Sequence, residues 1–586
     1  MIVDVVSGKI SLSTLPEEHR VIYTIEPHEQ AKRDYLIVLM NSLLTFEIVS
    51  KEQFSTSLLD LFILKDMLKA SNNFNVTLNI TEKCFGVCKQ YLLDRYEVMD
   101  IKDGKLNTSI QLAIKSTPYE DQLSGIAFML KRERAINSCS VGIGKTLTAL
   151  ACFDNLYHSH KIDKGIIYCL NENKLTWTKE IQKHSDYKFK VVGNGSKIVL
   201  KDIEAFNEDL LVVHYDSLLS QDIINAIIAR GFNFCIYDEA HIFRNLKTQR
   251  SKAVFGIVEI TDPKYRYLLT GTPIAQCPLE AYSAIKLVRP TILPSHTRFK
   301  NHFCVEILIK IKNSSRKIPK IVKYKNLEQL KYIMDLYSFR KTHEDVKGFP
   351  PTVYSIKELE LSGEQRQLYE AIREETFREI AEMPDKAMNL DHLLTKILRL
   401  RQCLSHPAIL GEKSESVKFK YLDELLEEIL SETDQKVVIW STFRDTLELL
   451  HQKYEDKYGA VLFYGDMKTE ERDKNVEKFT TPGGKTRMLL GITSLGTGGN
   501  FQVARTAIYI DEPLKILELK QSRGRITRRN AVGTSHIISL TCQNTIEDRW
   551  IRGFLESKEA IIDQVIDPDS NIIVAKNDLL KGLSKA

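Results

Sequence analysis

A glycine-rich turn followed by lysine and threonine constrains this chain more than any other feature. Residues 140–147 read Ser-Val-Gly-Ile-Gly-Lys-Thr-Leu, the pattern of a loop whose backbone N–H groups surround nucleotide phosphates. In that pattern Lys145 adds a charge near the phosphates and the Thr146 hydroxyl is a ligand for Mg²⁺. A full pattern has glycine where this chain has Cys139. Taken alone, these residues are explained equally well by a nucleotide-binding loop and by an ordinary glycine-rich turn.

Length and composition indicate a protein of several domains. The chain has 586 residues, 43% of them hydrophobic and 27% charged, which is too long for one core and suggests three or four domains. The longest apolar stretch, about residues 35–49, contains polar residues and is too short to span a bilayer. The N-terminus lacks the layout of a signal peptide. We therefore expect an intracellular protein without a membrane partner, in the cytoplasm of a bacterial or viral host or in a nucleus.

Cysteines and charge exclude little by themselves. Only Cys84 and Cys88 lie close together among ten cysteines, and no second pair follows at zinc-site spacing, so reduced thiols are expected. A net charge of +5 permits a polyanionic partner without requiring one. The four arginines within residues 523–529 are more informative.

Short β-rich runs alternate with helical ones, which predicts an α/β fold with parallel sheets. Ligands of such sheets bind at the carboxyl ends of the strands. A second α/β block begins near residue 416. The predicted strands are 165–170, 209–215, 232–240 and 265–273 in the first block, and 436–441, 460–465, 487–493 and 506–513 in the second.

Two adjacent carboxylates end one of these strands. Residues 236–241 read Ile-Tyr-Asp-Glu-Ala-His, so an apolar strand delivers Asp238 and Glu239 to its carboxyl end. We expect Asp238 to hold Mg²⁺ opposite Thr146, and Glu239 to orient and deprotonate the attacking water. A solvated acidic strand end is the alternative, which the upstream phosphate loop disfavours.

A basic segment closes the second block. Residues 521–529 read Gln-Ser-Arg-Gly-Arg-Ile-Thr-Arg-Arg, and on a helix Arg525 and Arg528 would share one face. From a second lobe they could reach the γ-phosphate as arginine fingers, a contribution of roughly 10³–10⁵ in rate. A solvent-facing basic helix or a nucleic-acid patch is the alternative.

The ordered set GIGKT, DEAH, TGTP, SLGTGGN and QSRGRITRR resembles the motifs of the superfamily 2 helicase-like ATPases. Segments 118–125, 338–346 and 398–407 are similar to the Swi/Snf-type branch in particular. The resemblance covers about residues 115–560. It implies two RecA-like lobes with helical insertions, ATP and Mg²⁺ between the lobes, and translocation on double-stranded DNA.

The resemblance also implies roles for single residues. The implied catalytic set is Lys145, Asp238, Glu239, Arg525 and Arg528. The implied nucleotide-binding set is Gln122 on the adenine, with Gly142, Ile143, Gly144, Lys145, Thr146 and Leu147 on phosphate and metal. Residues implied to contact DNA or to couple it to the nucleotide are Lys174, Trp177, His214, Tyr215, Thr270, Gly496, Gly498, Asn500 and Gln521. Trp177 is predicted either to stack on a base or to anchor the following helix.

Three positions depart from the family pattern. Ser140 stands where an acidic residue is common, Leu495 where glycine is usual, and Thr527 where histidine is customary. None of these changes removes a group needed for hydrolysis, so an active ATPase is expected.

Five segments are predicted along the chain. They are an accessory domain of unknown role (1–110), a first lobe (111–350) with a helical and basic insertion near 291–350, a helical bridge (351–415), a second lobe (416–560) and a tail (561–586). The basic stretch 310–325 is predicted as a DNA-facing insertion or a solvated loop.

The compact layout resembles fork-remodelling and annealing relatives and compact viral and bacterial forms. We therefore expect action on forks or branched DNA in replication, recombination or repair, with replication and repair proteins as partners. A motor that displaces or remodels proteins on DNA, such as transcription proteins, is the first alternative. A nucleotide-gated clamp that binds DNA without turnover is the second, and the intact catalytic set disfavours it.

Overall fold

The computed structural model describes most of the chain from residue 93 onward and short pieces before it. The described residues are 8–12, 20–25, 47–48, 53–57, 78–80, 93–105, 110–271, 278–290, 292–310, 317–361, 363–382, 390–431, 435–494, 499, 501–529, 531 and 533–553. The predictions for Gly496, Gly498, Asn500 and the tail 561–586 lie outside the described residues.

The first lobe is built on a seven-stranded parallel sheet. In chain order its strands are β6 (Arg134–Asn137), β7 (Gly165–Cys169), β8 (Phe189–Val191), β9 (Leu210–His214), β10 (Phe234–Asp238), β11 (Tyr265–Leu269) and β14 (Ser338–Phe339). Their spatial order is β14-β6-β11-β10-β7-β9-β8. Strands β7, β9 and β11 are buried along their whole length, as expected of a parallel sheet covered on both faces.

Helices cover both faces of this sheet and enclose one hydrophobic core on each side. Ile166 and Tyr168 of β7 point into one core, whereas Ile167 points into the other, as strand alternation requires. The helices of this lobe, beyond one over residues 93–102, are Glu120–Arg132, Lys145–His158, Lys174–His184, Ser196–Glu204, Gln221–Arg230, Gln249–Thr261 and Glu280–Val288. Short 3₁₀ turns at Asn171–Asn173, Tyr215–Leu219 and Ala240–Arg244 follow the carboxyl ends of β7, β9 and β10.

The second lobe is built on a six-stranded parallel sheet. Its strands are β15 (Thr352–Leu359), β16 (Val437–Ser441), β17 (Val461–Phe463), β18 (Met488–Ile492), β19 (Thr506–Tyr509) and β20 (Ser535–Cys542), in the spatial order β15-β20-β19-β16-β18-β17. Its helices are Gly363–Glu382, Leu390–Ser405, Val417–Ser431, Arg444–Tyr458, Thr469–Thr480 and Ile516–Arg523, with a 3₁₀ turn at Pro407–Leu410 and a π-helical turn at Glu547–Ile551. The predicted α/β class with two parallel sheets is confirmed, and each of the eight predicted strands contains an observed one.

One predicted boundary needs correction. The segment 351–415, predicted as a helical bridge, contains two helices but begins with β15, which pairs with β20 at the edge of the second sheet. The run Thr352–Ile356 is rich in β-branched and aromatic residues, which favour a strand, but its distant partner β20 is not visible from local sequence. The second sheet therefore starts well before residue 416.

The insertion of the first lobe contains a β-hairpin. After helix His296–Phe303, strand β12 (Cys304–Lys310) pairs antiparallel with β13 (Lys317–Tyr324), and helix Leu327–Tyr337 leads back to β14. The basic stretch 310–325, for which a solvated loop was one prediction, therefore includes a strand. Whether it faces DNA stays a prediction.

A separate five-stranded sheet lies near the N-terminus. Its strands are β1 (Gly8–Leu12), β2 (Arg20–Ile25), β3 (Glu47–Ile48), β4 (Gln53–Ser57) and β5 (Leu78–Ile80), in the order β3-β4-β2-β1-β5. Only β1 and β5 pair in parallel. In the part of the chain that the structure describes, no helix is both long and apolar enough to cross a membrane.

Candidate nucleotide site between the two lobes

The glycine-rich turn connects β6 to helix Lys145–His158. Gly142 and Gly144 have φ angles of 88° and 97°, which glycine adopts readily and other residues rarely do. A methyl group at Gly144 would also collide with the side-chain amide of Gln122. The helix begins directly after the turn, so its first N–H groups are available to an anion such as phosphate.

Gln122 fixes the outer side of this loop. Its side-chain oxygen accepts a hydrogen bond from the Tyr119 N–H at 2.9 Å, and its side-chain nitrogen donates to the Ile143 carbonyl at 2.7 Å. The residue is 5% exposed. Gln122 therefore links helix Glu120–Arg132 to the phosphate loop, and its contact with adenine stays a prediction.

Lys145 lies between the loop and the acidic pair. Its ammonium donates to the carbonyls of Cys139 and Ser140 at 2.9 and 3.3 Å. Burial lowers the pKa of Lys145, while the carboxylates of Glu239 and Asp238 oppose that shift. Both carboxylates are thus close enough to interact with the lysine that the sequence assigns to the phosphates.

Asp238, the last residue of β10, is held by three hydrogen bonds. One carboxylate oxygen accepts from the Glu239 N–H at 3.0 Å. The other accepts from the Asn173 amide at 3.2 Å and from the Trp177 indole at 3.0 Å. Burial, together with the charge of Glu239, raises the pKa of Asp238 to about 6. The carboxylate is therefore fixed in direction and would gain from a bound cation.

Glu239 takes a backbone conformation that is uncommon for a glutamate. Its φ is 49° and its ψ is 46°, in the left-handed region, where strain is common at functional sites. Its carboxylate lies 3.0 Å from Nδ1 of His241. Burial alone would raise the pKa of Glu239, but His241 and Lys145 bring it below the ordinary value. A carboxylate kept ionised beside the phosphate loop suits a group that orients water.

Two residues predicted to contact DNA or to couple it to the nucleotide are buried beneath Asp238. Trp177 is 2% exposed and Tyr215 is 1% exposed. The Trp177 indole donates to the Asp238 carboxylate, and the Tyr215 hydroxyl donates to the Asp238 carbonyl at 2.6 Å. The Trp177 ring therefore packs in the core of the first lobe, which favours the alternative of an anchor for helix Lys174–His184, and a contact of this residue with DNA stays a prediction. Both residues hold Asp238 in place.

The other first-lobe residues predicted to contact DNA or to couple it to the nucleotide are hydrogen-bonded within the lobe or buried. The Lys174 ammonium donates to the carbonyl of Val192 at 3.1 Å and to the side chain of Asn194 at 2.9 Å. His214 is 8% exposed, and burial lowers its pKa. Thr270 is 1% exposed, and its N–H donates to the Asn137 carbonyl at 3.1 Å. Whether these residues contact DNA or couple it to the nucleotide stays a prediction.

The second lobe brings its arginines to the phosphate loop. A methyl group at Gly142 would lie 3.2 Å from Cδ of Arg528 and 3.2 Å from the Thr527 carbonyl. Gln521, 7% exposed, is in the preceding helix. The helix ends at Arg523. Arg525 and Arg528 therefore lie in the turn that follows it and not on one helical face. They reach the site because the turn packs against the first lobe.

The two arginines retain unused hydrogen-bonding capacity. Arg525 donates to the Gly499 carbonyl at 2.9 Å. The Nε atoms of both Arg525 and Arg528 are buried without a hydrogen-bond partner among the described residues. Burial, with the charge of Arg528, lowers the pKa of Arg525 to about 9, so the guanidinium stays charged at neutral pH. Buried cationic donors that face a phosphate loop fit a polyanionic ligand.

Two domain families match this chain. Residues 121–409 match the SNF2-related domain, and residues 417–530 match the helicase conserved C-terminal domain. The chain belongs to the SNF2 family. Both matched ranges contain the residues described above, with the loop and the acidic pair in the first and the arginines in the second.

Similar proteins are considerably longer. A probable chromatin-remodeling complex ATPase chain of Oryza sativa subsp. japonica is 24% identical over 84% of this chain and 45% of its own length. An uncharacterized ATP-dependent helicase of Mycoplasma pneumoniae is 24% identical over 73% of this chain and 40% of its own. A RAD54-like DNA repair and recombination protein of Drosophila ananassae is 24% identical over 76% and 62%, respectively. This chain thus spans less than half the length of the first two.

A solved structure, the Sulfolobus solfataricus SWI2/SNF2 ATPase core in complex with dsDNA, is 23% identical. The match covers 82% of this chain and all of that one, with a TM-score of 0.37.

The residues of this SNF2-family site fit ATP with Mg²⁺. The left-handed glycines, the buried guanidinium Nε atoms and the raised pKa of Asp238 all suit a phosphate chain and a cation. Thr146, in the first helical turn, and Asp238 would hold the ion. Among the described residues no three acidic, histidine or cysteine side chains form a metal-binding group.

Sequence reasoning missed three groups in this SNF2-family site. Asn173 shares the Asp238 carboxylate with Trp177. Arg529 and Asp121 form an ion pair of 2.6 Å between the lobes. The arginine cluster was visible in the sequence, but its acidic partner 408 residues away was not.

Proposed function

We propose that this chain is an ATP-driven translocase on double-stranded DNA. The observation that carries the proposal is the approach of Arg525 and Arg528, from one lobe, to the phosphate loop and acidic pair of the other. Neither lobe alone holds a complete site. Hydrolysis can then be tied to the distance between the lobes, which is what a motor requires.

The proposed cycle follows from the positions of these side chains. ATP binding draws the lobes together and places the guanidinium groups of Arg525 and Arg528 against the γ-phosphate. Glu239 holds the attacking water and accepts its proton, and Asp238 and Thr146 would hold Mg²⁺. The bound ion would offset negative charge on the β- and γ-phosphates. Release of the products removes the ligand that the arginines share with the loop, so the lobes separate.

DNA as the track is supported by the SNF2-family match and by the motifs. The relatives include a protein named for DNA repair and recombination. We propose that the preferred substrates are forks or branched duplexes met in replication, recombination or repair. The same proposal includes main bodies of the two lobes at 111–350 and 416–560, to which the helix over residues 93–102 and strand β15 are added. It also includes a targeting role for the rest of residues 1–110.

The first experiment measures the ATPase rate against a panel of nucleic acids. The panel consists of single-stranded DNA, linear duplex DNA, a four-way junction, a model fork and duplex RNA. A sample without nucleic acid gives the basal rate. Stronger stimulation by forks or junctions than by linear duplex is expected. Stimulation by RNA alone, or none by any DNA, would contradict the proposal, and Lys145→Ala controls for contaminating ATPases.

A second candidate keeps the motor and changes its target. Relatives named as chromatin-remodelling ATPases, from rice and from Saccharomyces cerevisiae, favour a motor that displaces or remodels proteins on DNA. The two candidates separate in one assay. Displacement of a bound protein from linear duplex, without any action on naked junctions, would favour the second candidate. Turnover lost in Lys145→Ala would exclude a clamp that binds DNA without hydrolysis.

A further inference from the structure

Arg529, the residue after Arg528, connects the two lobes at a point away from the phosphates. Its guanidinium forms an ion pair with Asp121 at 2.6 Å and donates to the Lys347 carbonyl at 3.0 Å. The side chains of Arg529 and Asp121 are only 6% and 15% exposed. A short, largely buried Arg–Asp pair is oriented far more strictly than an ion pair on the surface.

The same guanidinium also covers an aromatic ring of the first lobe. The guanidinium carbon of Arg529 lies 4.0 Å from the centre of the Tyr119 ring, within the range of a cation–π contact. Tyr119 and Asp121 flank the start of helix Glu120–Arg132. One residue of the second lobe therefore contacts both sides of this helix start.

These contacts lead directly to the phosphate loop. The Tyr119 N–H donates to the Gln122 side chain, and Gln122 in turn donates to the Ile143 carbonyl. Arg529, the start of the helix, Gln122 and the loop thus form one connected set. Arg528, one residue earlier, packs on Gly142 of the same loop. Neighbouring residues of the second lobe reach the two ends of the nucleotide site.

We infer that Arg529 is a positioning residue that makes lobe closure depend on the nucleobase. Its partners Tyr119 and Asp121 flank the start of the helix that carries Gln122, the residue predicted to contact adenine, so this inference rests on that prediction and on the proposed function. A base held by that segment would fix the Tyr119 and Asp121 geometry that Arg529 needs. Binding of the base and binding of Arg529 then strengthen each other, as linked equilibria require.

A simple clamp between the lobes is the alternative. A clamp would stabilise closure equally for any triphosphate, with or without a base. Ribose 5′-triphosphate carries the phosphates and the sugar but lacks the base, so it separates the two ideas. Equilibrium binding of ATP and of ribose 5′-triphosphate, measured with Mg²⁺ and without DNA, reports on this without hydrolysis or translocation.

The test compares Arg529→Gln with the wild-type chain. We expect Arg529→Gln to weaken ATP binding about tenfold and ribose 5′-triphosphate binding less than threefold. The charge exchange Asp121→Lys with Arg529→Glu should regain most of the preference for ATP. Equal weakening of both ligands would overturn the inference in favour of a simple clamp, and an unchanged ATP affinity would overturn it outright.

Arg523→Gln is the matched control. Arg523 precedes these residues in the same segment, but its ion pair of 3.0 Å with Glu512 lies within the second lobe. This variant should keep the wild-type affinities for both ligands, and thermal melting should show that all variants fold. A chain that binds both ligands but shows no DNA-stimulated ATPase would refute the proposed function and leave this inference standing. A chain that binds neither would overturn the inference.

Discussion

The two lobes contribute to one site in different ways. In the first lobe, Gln122, Lys145 and Asp238 each make at least two hydrogen bonds inside the lobe. In the second lobe, Arg525 and Arg528 have buried Nε atoms without a partner among the described residues. The groups of the first lobe are therefore held in place before the ligand arrives. The arginines of the second lobe keep hydrogen-bond donors that a phosphate can use.

This difference teaches where the chemistry and the control reside. Groups fixed by several hydrogen bonds lose little freedom on binding and can act on water with little rearrangement. Guanidinium groups with unused donors gain most when a phosphate is present and the lobes are together. The first lobe thus supplies the reactive geometry, and the second lobe makes it conditional on closure.

The largest expected effect on kcat comes from removing an arginine of the second lobe. Arg528→Ala or Arg525→Ala should lower kcat by about 10³, because the charge facing the phosphates is removed, while ATP binding to the first lobe persists. Steady-state ATPase rates and equilibrium nucleotide binding measure the two quantities. A loss of binding without a loss of kcat would reverse the assigned division between the lobes.

The next largest effect on kcat comes from removing the carboxylate of Glu239 in the first lobe. Glu239→Gln should lower kcat by about 10²–10³, within the range of about 10²–10⁴ that general acid–base catalysis contributes. The variant should accumulate with ATP bound and the lobes closed on DNA. Rapid-quench turnover and DNA retention are the readouts. Normal hydrolysis would show that Glu239 is not the base.

A smaller effect tests whether Asp238 depends on the buried side chain of Trp177 that donates to its carboxylate. Trp177→Phe keeps most of the packing and removes one hydrogen bond to the Asp238 carboxylate, which is worth about 1.5–3 kcal/mol. We expect kcat to fall about tenfold with DNA affinity unchanged. Tyr168→Phe, another buried aromatic of the same lobe, is the matched control. Weaker DNA binding with normal kcat would restore Trp177 as a DNA contact.

The smallest effect concerns Lys174. Its ammonium already has acceptors at Val192 and Asn194, so Lys174→Ala should leave the salt dependence of DNA binding unchanged. Each lysine that neutralises a phosphate would contribute about 0.9 to the slope of log K against log salt concentration. A slope reduced by that amount would place Lys174 on the DNA after all.

The sequence determined the fold class and the ends of the strands that carry the site. Apolar runs such as Phe234–Asp238 must be buried, and polar residues after them must then lie at the sheet edge. The glycine-rich turn, the acidic pair and the arginine segment could therefore be identified locally. Their chemistry depends on residue type and on neighbours close in the chain.

Only the tertiary structure decided what the buried polar groups bind. Trp177 and Asp238 are 61 residues apart, and Arg529 and Asp121 are 408 apart. The sequence around a tryptophan is the same whether its indole stacks on a base or donates a hydrogen bond to a carboxylate. The choice follows from which strands and lobes pack together, because burial forces each polar group to find whichever partner the fold brings near.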